Sequence, residues 1–390
     1  GQPAAPEPRP AQAAGKPEFF TIRDAGLRAE DAEDSFVPSC SRRLFICGGF
    51  DGAQASDEAV CYDWQRQELL PLPPMATARS HAGCAGLDGM LYVCGGFDGS
   101  QALSSVERFD PASGSWQALP PMLRQRVSAS TAVLCGAVYA CGGSLLSQMG
   151  SMRTVERFSP AIGEWEALPS MLEARLAPGL AAAGRELWAC GGSACGPLGT
   201  AERFSLTAGS WQPLPQLTVA RAHHAQAVVR GRIYLLGGIG NPRQLNAVEC
   251  FAPDARQWVA AQPMTERRCG LAAAVMGGAV LACGGWDEGL SKASAERLDP
   301  AVGVWEAVAP MRWHRSYAFA GVLGGQLHVF GGNGERGEVL GSMERLDPAT
   351  GAWTEVASVP ARQAPGCAAV SAAAPGLATG AAEALPFQIV

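Results

Sequence analysis

Short apolar runs recur along the chain, each stopped by two glycines. Leu91-Tyr92-Val93-Cys94 precedes Gly95, and Ile233-Tyr234-Leu235-Leu236 precedes Gly237. Runs this short, without helical spacing, predict strands buried on both faces. Glycine pairs suit a tight exit, because they tolerate positive φ and let another backbone approach closely. Seven pairs begin at Gly48, Gly95, Gly142, Gly191, Gly237, Gly284 and Gly331, at intervals of 47, 47, 49, 46, 47 and 47.

A second signature follows each pair. Glu107-Arg108-Phe109 stands nine residues before Trp116, and the same nine separate Glu156 from Trp165, Glu202 from Trp211, Glu249 from Trp258, Glu296 from Trp305 and Glu344 from Trp353. From each tryptophan to the next glycine pair is always 26. The first repeat is degenerate, with Val60 at the glutamate position and Leu69 at the tryptophan position. A unit of about 47 residues holds four strands of five to eight residues plus turns. In the second unit these are expected near Ala82–Leu87, Met90–Cys94, Ser105–Phe109 and Ser115–Leu119. One such sheet is too thin to bury both faces, so its neighbours must complete the core.

With recurring Leu-Pro-x-Met endings such as Leu119-Pro120-Pro121-Met122, these residues resemble the kelch signature from roughly Ser41 to Val370. The resemblance implies an all-β propeller of four-stranded blades around a central channel. Seven blades are expected; six would remain if the degenerate first repeat stood outside the ring. No innermost strand is recognisable before Gly48, whereas Arg362 to Ala368 resembles Arg79 to Ala85 and no glycine pair follows it. Ring closure by a C-terminal inner strand accounts for both, and leaves no open edge. The expected division is a linker or disordered segment over 1–40, the propeller over 41–371 and a disordered tail over 372–390. The ends are Pro/Ala- and Ala/Gly-rich.

Charge narrows the function. Charged residues make up 17% of the chain, below the roughly 25% usual for soluble domains. Net charge is −6 with no basic run, so the counterion-displacing stripe that nucleic acid binding needs is missing. The most weakly polar stretch, Gly270 to Gly285, is too short to span a bilayer, and membrane insertion is not expected. The 13 cysteines include no CxxC pair. Cys47, Cys94, Cys141, Cys190 and Cys283 precede glycine pairs in different blades, which reads as buried thiols in a reducing, cytoplasmic setting.

Length variation is confined to one connection. From the second glycine to the glutamate position the intervals are 11, 11, 13, 10, 11, 11 and 12. This connection joins the second strand to the third and emerges on one face in every blade, the usual place for a binding surface. Pocket-lining residues of kelch-like substrate adaptors, carried over by position, fall in two sets. The first follows the glycine pair and comprises Phe50, Phe97, Ser144, Ser193, Ile239, Trp286 and Asn333. The second lies two residues beyond a recurring arginine (Arg79, Arg126, Arg175, Arg221, Arg268, Arg315, Arg362) and comprises His81, Ser128, Ala177, His223, Gly270, Tyr317 and Ala364. The arginine, repeating in every blade, reads as scaffolding. Where the family's best-known pocket is lined by arginines for acidic peptides, this rim is aromatic, histidine-bearing and small. Phe50, Phe97, Trp286 and Tyr317 are suited to anchoring apolar groups, and His81 and His223 to hydrogen bonding. Arg243, Asp287, Glu288, Glu335 and Arg336 sit in the variable loops.

The expected function is non-enzymatic protein binding, with no cofactor or metal. The resemblance further implies the substrate-recognition half of a BTB–BACK–kelch adaptor, which presents protein or peptide targets to a cullin-based ubiquitin ligase through an upstream domain. The alternative is a cytoskeletal, actin-binding or scaffolding kelch protein. A copper-radical oxidase would need tyrosine and histidine ligands converging with a cysteine. Tyr92, Tyr139 and Tyr234 instead share one strand position with Phe45, Trp188 and His328 and read as core.

Overall fold

A computed structural model describes residues 43–145, 150–252 and 256–358 and the backbone of 366–370. It contains seven four-stranded antiparallel sheets. Strands are lettered a to d from the channel outward. In blade two they are Gly83–Leu87, Met90–Cys94, Val106–Asp110 and Ser115–Leu119, within one residue of expectation. Blades three to seven repeat this order, with inner strands at Ser130–Leu134, Gly179–Ala183, Ala225–Val229, Ala272–Met276 and Phe319–Leu323.

Blade one is composite. Its strands b, c and d are Arg43–Cys47, Ala59–Asp63 and Glu68–Leu72, and its strand a is Gly366–Val370. Cys47 pairs with Gly366 and Arg43 with Val370. The degenerate repeat therefore lies inside the ring, which rules out six blades. The expected linker over 1–40, the tail over 372–390, Arg362 and Ala364 lie outside the described residues.

The core sits between blades. Seven hydrophobic clusters form among the described residues, each spanning two neighbours. Strand b explains the unbroken apolar runs. Leu91 and Val93 pack toward blade one, while Tyr92 and Cys94 pack toward blade three. Side chains alternate across a strand, so burial on both faces demands apolar residues at every position. The aromatic at the third position before the glycine pair meets the strand-c aromatic of the next blade, as Phe45 does Phe109, Tyr92 does Phe158 and Trp188 does Phe251. Tyr62 and His328 make the same contact across the closing seam, 5.3 Å between centroids. Trp116, Trp165, Trp211 and Trp258 meet strand-c phenylalanines in tilted or edge-on contacts, as Trp116 does Phe109 at 5.2 Å between centroids. Trp116, Trp211, Trp305 and Trp353 each donate a ring N–H to a carbonyl of the preceding blade, at Pro73, Pro169, Gln262 and Ala309.

The recurring arginine is the second tie. Arg79 leads into blade two, and its guanidinium donates to the carbonyls of Gly95 and Ser105 and to Glu107. Its own carbonyl accepts from Gly49 of blade one. The pattern repeats for Arg126, Arg175, Arg221, Arg268 and Arg315, with arginine–glutamate distances of 2.5–3.0 Å and both partners buried. Each glutamate also accepts from a backbone amide early in the same d–a loop, at Ala76, Leu123, Leu172, Thr218, Thr265 or Arg312. The glycine pair follows from this packing. A Cβ on Gly48, Gly142 or Gly237 would collide with the arginine carbonyl, and the second glycine of each pair holds φ between 88° and 109°.

Two predictions follow from this packing. Glu249→Ala strands the buried Arg221 guanidinium and lowers unfolding free energy by about 3–5 kcal/mol. Glu306→Ala, which removes the exposed partner of Arg297, costs less than about 1 kcal/mol; urea denaturation of the two variants checks the contrast. The seam also weakens in acid. Burial lowers the His328 imidazole from 6.5 to about 4, so the unfolded chain binds the proton first. Stability from this group is complete above pH 6.5 and is lost as pH falls toward 4, by about 3 kcal/mol. His328→Phe, which keeps the ring contact with Tyr62, flattens the melting-temperature profile over that interval.

Candidate functional site

Strands b and d run in the same direction, so the b–c and d–a loops emerge together on one face. A one-pair bridge draws the two expected sets of rim residues side by side. Ser80 bridges Phe97, Val127 bridges Ser144, Leu176 bridges Ser193, Ala222 bridges Ile239, Cys269 bridges Trp286 and Ser316 bridges Asn333. His81, Ser128, His223 and Tyr317 are each the next residue after the d–a partner. Phe50 holds the corresponding place in blade one and bridges Ala55.

The d–a set has one backbone conformation throughout. His81, Ser128, Ala177, His223, Gly270 and Tyr317 all have φ between 44° and 55°. Five of them carry side chains, for which this left-handed region costs of order 1 kcal/mol each. Hydrogen bonds from blade to blade hold it in place. Ser128 donates to the His81 carbonyl at 3.0 Å, Ala177 to Ser128 at 3.3 Å, Gly270 to His223 at 2.9 Å and Tyr317 to Gly270 at 2.7 Å. Among the described residues these positions form a girdle of blades two to seven in two hydrogen-bonded runs, His81 to Ala177 and His223 to Tyr317.

The side chains on this rim vary among the blades. His81 is exposed, and Phe50, Phe97, Ser128, Ser144, Ser193, His223, Ile239, Trp286, Tyr317 and Asn333 are half-buried. His81 is nevertheless recessed enough between blades for desolvation to hold its imidazole below the usual histidine range, as it does for His223. Tyr317 leans over blade six. A Cβ on Gly270 would lie 2.9–3.0 Å from its ring, and the ring meets His223 edge-on at 5.7 Å. Burial pushes the Tyr317 phenol and the neighbouring Cys269 thiol up to about 12. Glycine at 270 therefore makes room for a tyrosine–histidine contact across three blades.

Two b–c loops form short hairpins that the sequence did not announce. Ser144–Leu145 pairs with Gly150–Ser151 in blade three, and Trp286–Asp287 pairs with Leu290–Ser291 in blade six. The blade-three hairpin absorbs the longest interval, whereas blade six has the ordinary one. Arg267 fastens the second hairpin from the d–a loop, meeting Asp287 at 3.5 Å and Glu288 at 2.7 Å. Of the other variable-loop charges, Arg243, Glu335 and Arg336 are exposed.

The remaining chemistry-bearing residues are taken up by the scaffold. Tyr92, Tyr139, Tyr234, Phe45, Trp188 and His328 are all buried at their shared position. Cys94, Cys141, Cys190 and Cys283 are buried free thiols pushed up to about 12, chiefly by desolvation. Among the described residues no group of three or more His, Cys, Asp or Glu side chains is placed to hold a metal ion, and no helix is long and apolar enough to cross a membrane.

Kelch-motif profiles match residues 78–123, 125–172, 220–265, 267–312 and 314–360, together more than half of the chain. The chain belongs to the kelch-repeat family. The fourth blade escapes these profiles yet carries the same arginine, glycine pair, glutamate and tryptophan. A comparison with curated proteins finds no match. Among solved structures, that of YjhT is similar, with a TM-score of 0.57 and 13% identity, covering 70% of this chain and 96% of its own. At that identity the likeness bears on the fold alone. The kelch fold suits a protein-interaction domain.

If Gly270 is what admits the Tyr317 ring, Gly270→Ala should displace it without unfolding the ring. Tyr317 then loses its ring-current effect on His223, seen as a shift of the His223 imidazole resonances, while melting temperature falls by only a few degrees, as about 1 kcal/mol implies. Unchanged His223 resonances in that variant would count against the arrangement.

Proposed function

We propose that this kelch propeller is a non-catalytic protein-binding module whose partner docks on the face of the b–c and d–a loops. One observation carries the reading. Blades two to seven use the same arginine, glutamate, glycine and tryptophan positions for scaffolding, whereas the rim residues of the b–c and d–a loops are accessible and vary in side chain among the blades. A surface with fixed backbone and variable side chains is how a repeat protein encodes a specific partner. Holding five non-glycine residues in left-handed backbone at the same place adds strain of the kind found where ligands are clamped. Phe50, Phe97 and Trp286 supply the aromatic anchors, and Ser128, Ser144 and Ser193 leave a shallower sector.

The finer role we propose is substrate recognition for a cullin-based ubiquitin ligase, in the cytoplasm, with the ligase engaged through a segment outside the propeller. Its support is the resemblance of the repeats to BTB–BACK–kelch adaptors, together with free thiols that suit a reducing setting. Recruitment to actin is the competing role.

Site-specific photo-crosslinking tests the docking face. A photoreactive residue at Ser144, Ser193 or Asn333 should capture partner protein, whereas one at Ile162 or Val302, exposed on the opposite c–d turns, should not. Crosslinks confined to the c–d turns would refute the proposed face. Co-purification with a cullin scaffold against co-sedimentation with filamentous actin then separates the two roles.

A further inference from the structure

Charge on the rim is unevenly spread, and ring closure creates the asymmetry by seating blade seven beside blade one. The b–c loops of blades seven, one and two span 331–341, 48–58 and 95–105. They contain Asp51, Asp57, Glu58, Asp98, Glu335 and Glu338 against a single base, Arg336. The same loops of blades three, four and five, spanning 142–154, 191–200 and 237–247, contain Arg153 and Arg243 and no carboxylate. In the d–a loop entering blade seven, Arg312 is directed outward, toward Glu355 at 3.7 Å.

The carboxylate-rich arc is also aromatic. Blades one and two carry one loop sequence, Phe-Asp-Gly-x-Gln-Ala, at Phe50 to Ala55 and Phe97 to Ala102, and the two loops fold alike. Asp51 accepts from the amides of Ala53 and Gln54 at 2.8 and 2.7 Å; Asp98 accepts from Ser100 and Gln101 at 2.7 and 2.8 Å. Each turn fixes a half-buried phenylalanine on the rim next to a carboxylate. Hydrogen bonds hold the Asp98 carboxyl down at about 2, so it is ionised at neutral pH.

We infer that the arc running from blade seven through blade two binds a basic segment of the partner protein, with lysine or arginine side chains lying across Phe50 and Phe97. An aromatic face attracts a cation, and the long aliphatic stems of lysine and arginine cover apolar surface while their charged ends stay among the carboxylates. An acidic segment would meet like charge, and a neutral apolar one would desolvate the carboxylates without balancing their charge. Arg153 and Arg243 across the ring give the segment a preferred direction, with its basic end over blades seven to two.

This inference rests on the rim being the docking face, and the test separates the two. A displayed library of random twelve-residue peptides is selected on the intact chain. Peptides rich in lysine and arginine are expected. A synthetic representative should lose about tenfold or more in affinity on raising sodium chloride from 50 to 500 mM, or in a variant carrying Asp57→Asn, Asp98→Asn, Glu335→Gln and Glu338→Gln. Phe50→Ala with Phe97→Ala should weaken binding at both salt concentrations, and Arg153→Gln with Arg243→Gln should leave the affinity of its basic half unchanged. The substituted carboxylates are at the surface, and circular dichroism verifies that each variant is folded. Neutral or acidic peptides that depend on Phe50 and Phe97 would overturn the basic partner while leaving the docking face intact. Basic peptides indifferent to the four carboxylates, or no selected peptides at all, would overturn the inference as well.

Discussion

The structure depends on one recurring junction, where the exit of strand b in one blade meets the d–a loop entering the next. The arginine at the end of that loop gives its carbonyl to the glycine pair of the blade behind and its guanidinium to the glycine and glutamate of the blade ahead. A single residue thereby fixes the spacing of two sheets. The glycines are obligatory because the carbonyl occupies the space of a Cβ. In blades two to seven the glutamate matches the charge of the buried guanidinium and fills its donors.

Such a pair is not an efficient source of stability, since desolvating two ions offsets most of their attraction and apolar replacements often do as well. Its value here is geometric. The bulk of the folding energy comes from the aromatic and aliphatic clusters between blades, which are tolerant of small shifts in angle. The arginine–glutamate clasp fixes each d–a loop to the blade it enters, and the arginine carbonyl links that loop to the glycine pair of the blade behind. At the seam, where Val60 replaces the glutamate and Leu69 the tryptophan, closure relies on the main-chain pairing of Arg43–Cys47 with Gly366–Val370 and on the Tyr62–His328 contact.

Much of this was legible in the sequence because it repeats. The constant intervals around Glu107 and Trp116 fix strand boundaries to a residue, and the missing strand before Gly48 foretells closure from the other end. The pairing of arginine with glutamate was missed, although a signal existed. Each described arginine stands 16 residues before its glycine pair, as Arg79 does before Gly95, which ties it to the same blade as the glutamate. The hairpins of blades three and six were not legible, because two-residue ladders follow from local turn geometry and side chains such as Arg267 rather than from periodicity. Nor was the common left-handed conformation of His81, Ser128, Ala177, His223 and Tyr317, since only Gly270 in that set advertises positive φ.

That last failure bears on how the rim works. Sequence patterning finds positions where every repeat makes the same choice, and a binding surface is where repeats choose differently. On this rim the described d–a residues share one φ and one bridge to the b–c loop, and four of them relay a hydrogen bond from the preceding blade. At the d–a positions blade identity is therefore expressed by the side chain, while the b–c loops add differences of length and two short hairpins. The grouping of carboxylates beside Phe50 and Phe97, and their exclusion from the loops of blades three to five, is of this kind. It emerges only when the chain closes and the last blade comes to lie against the first.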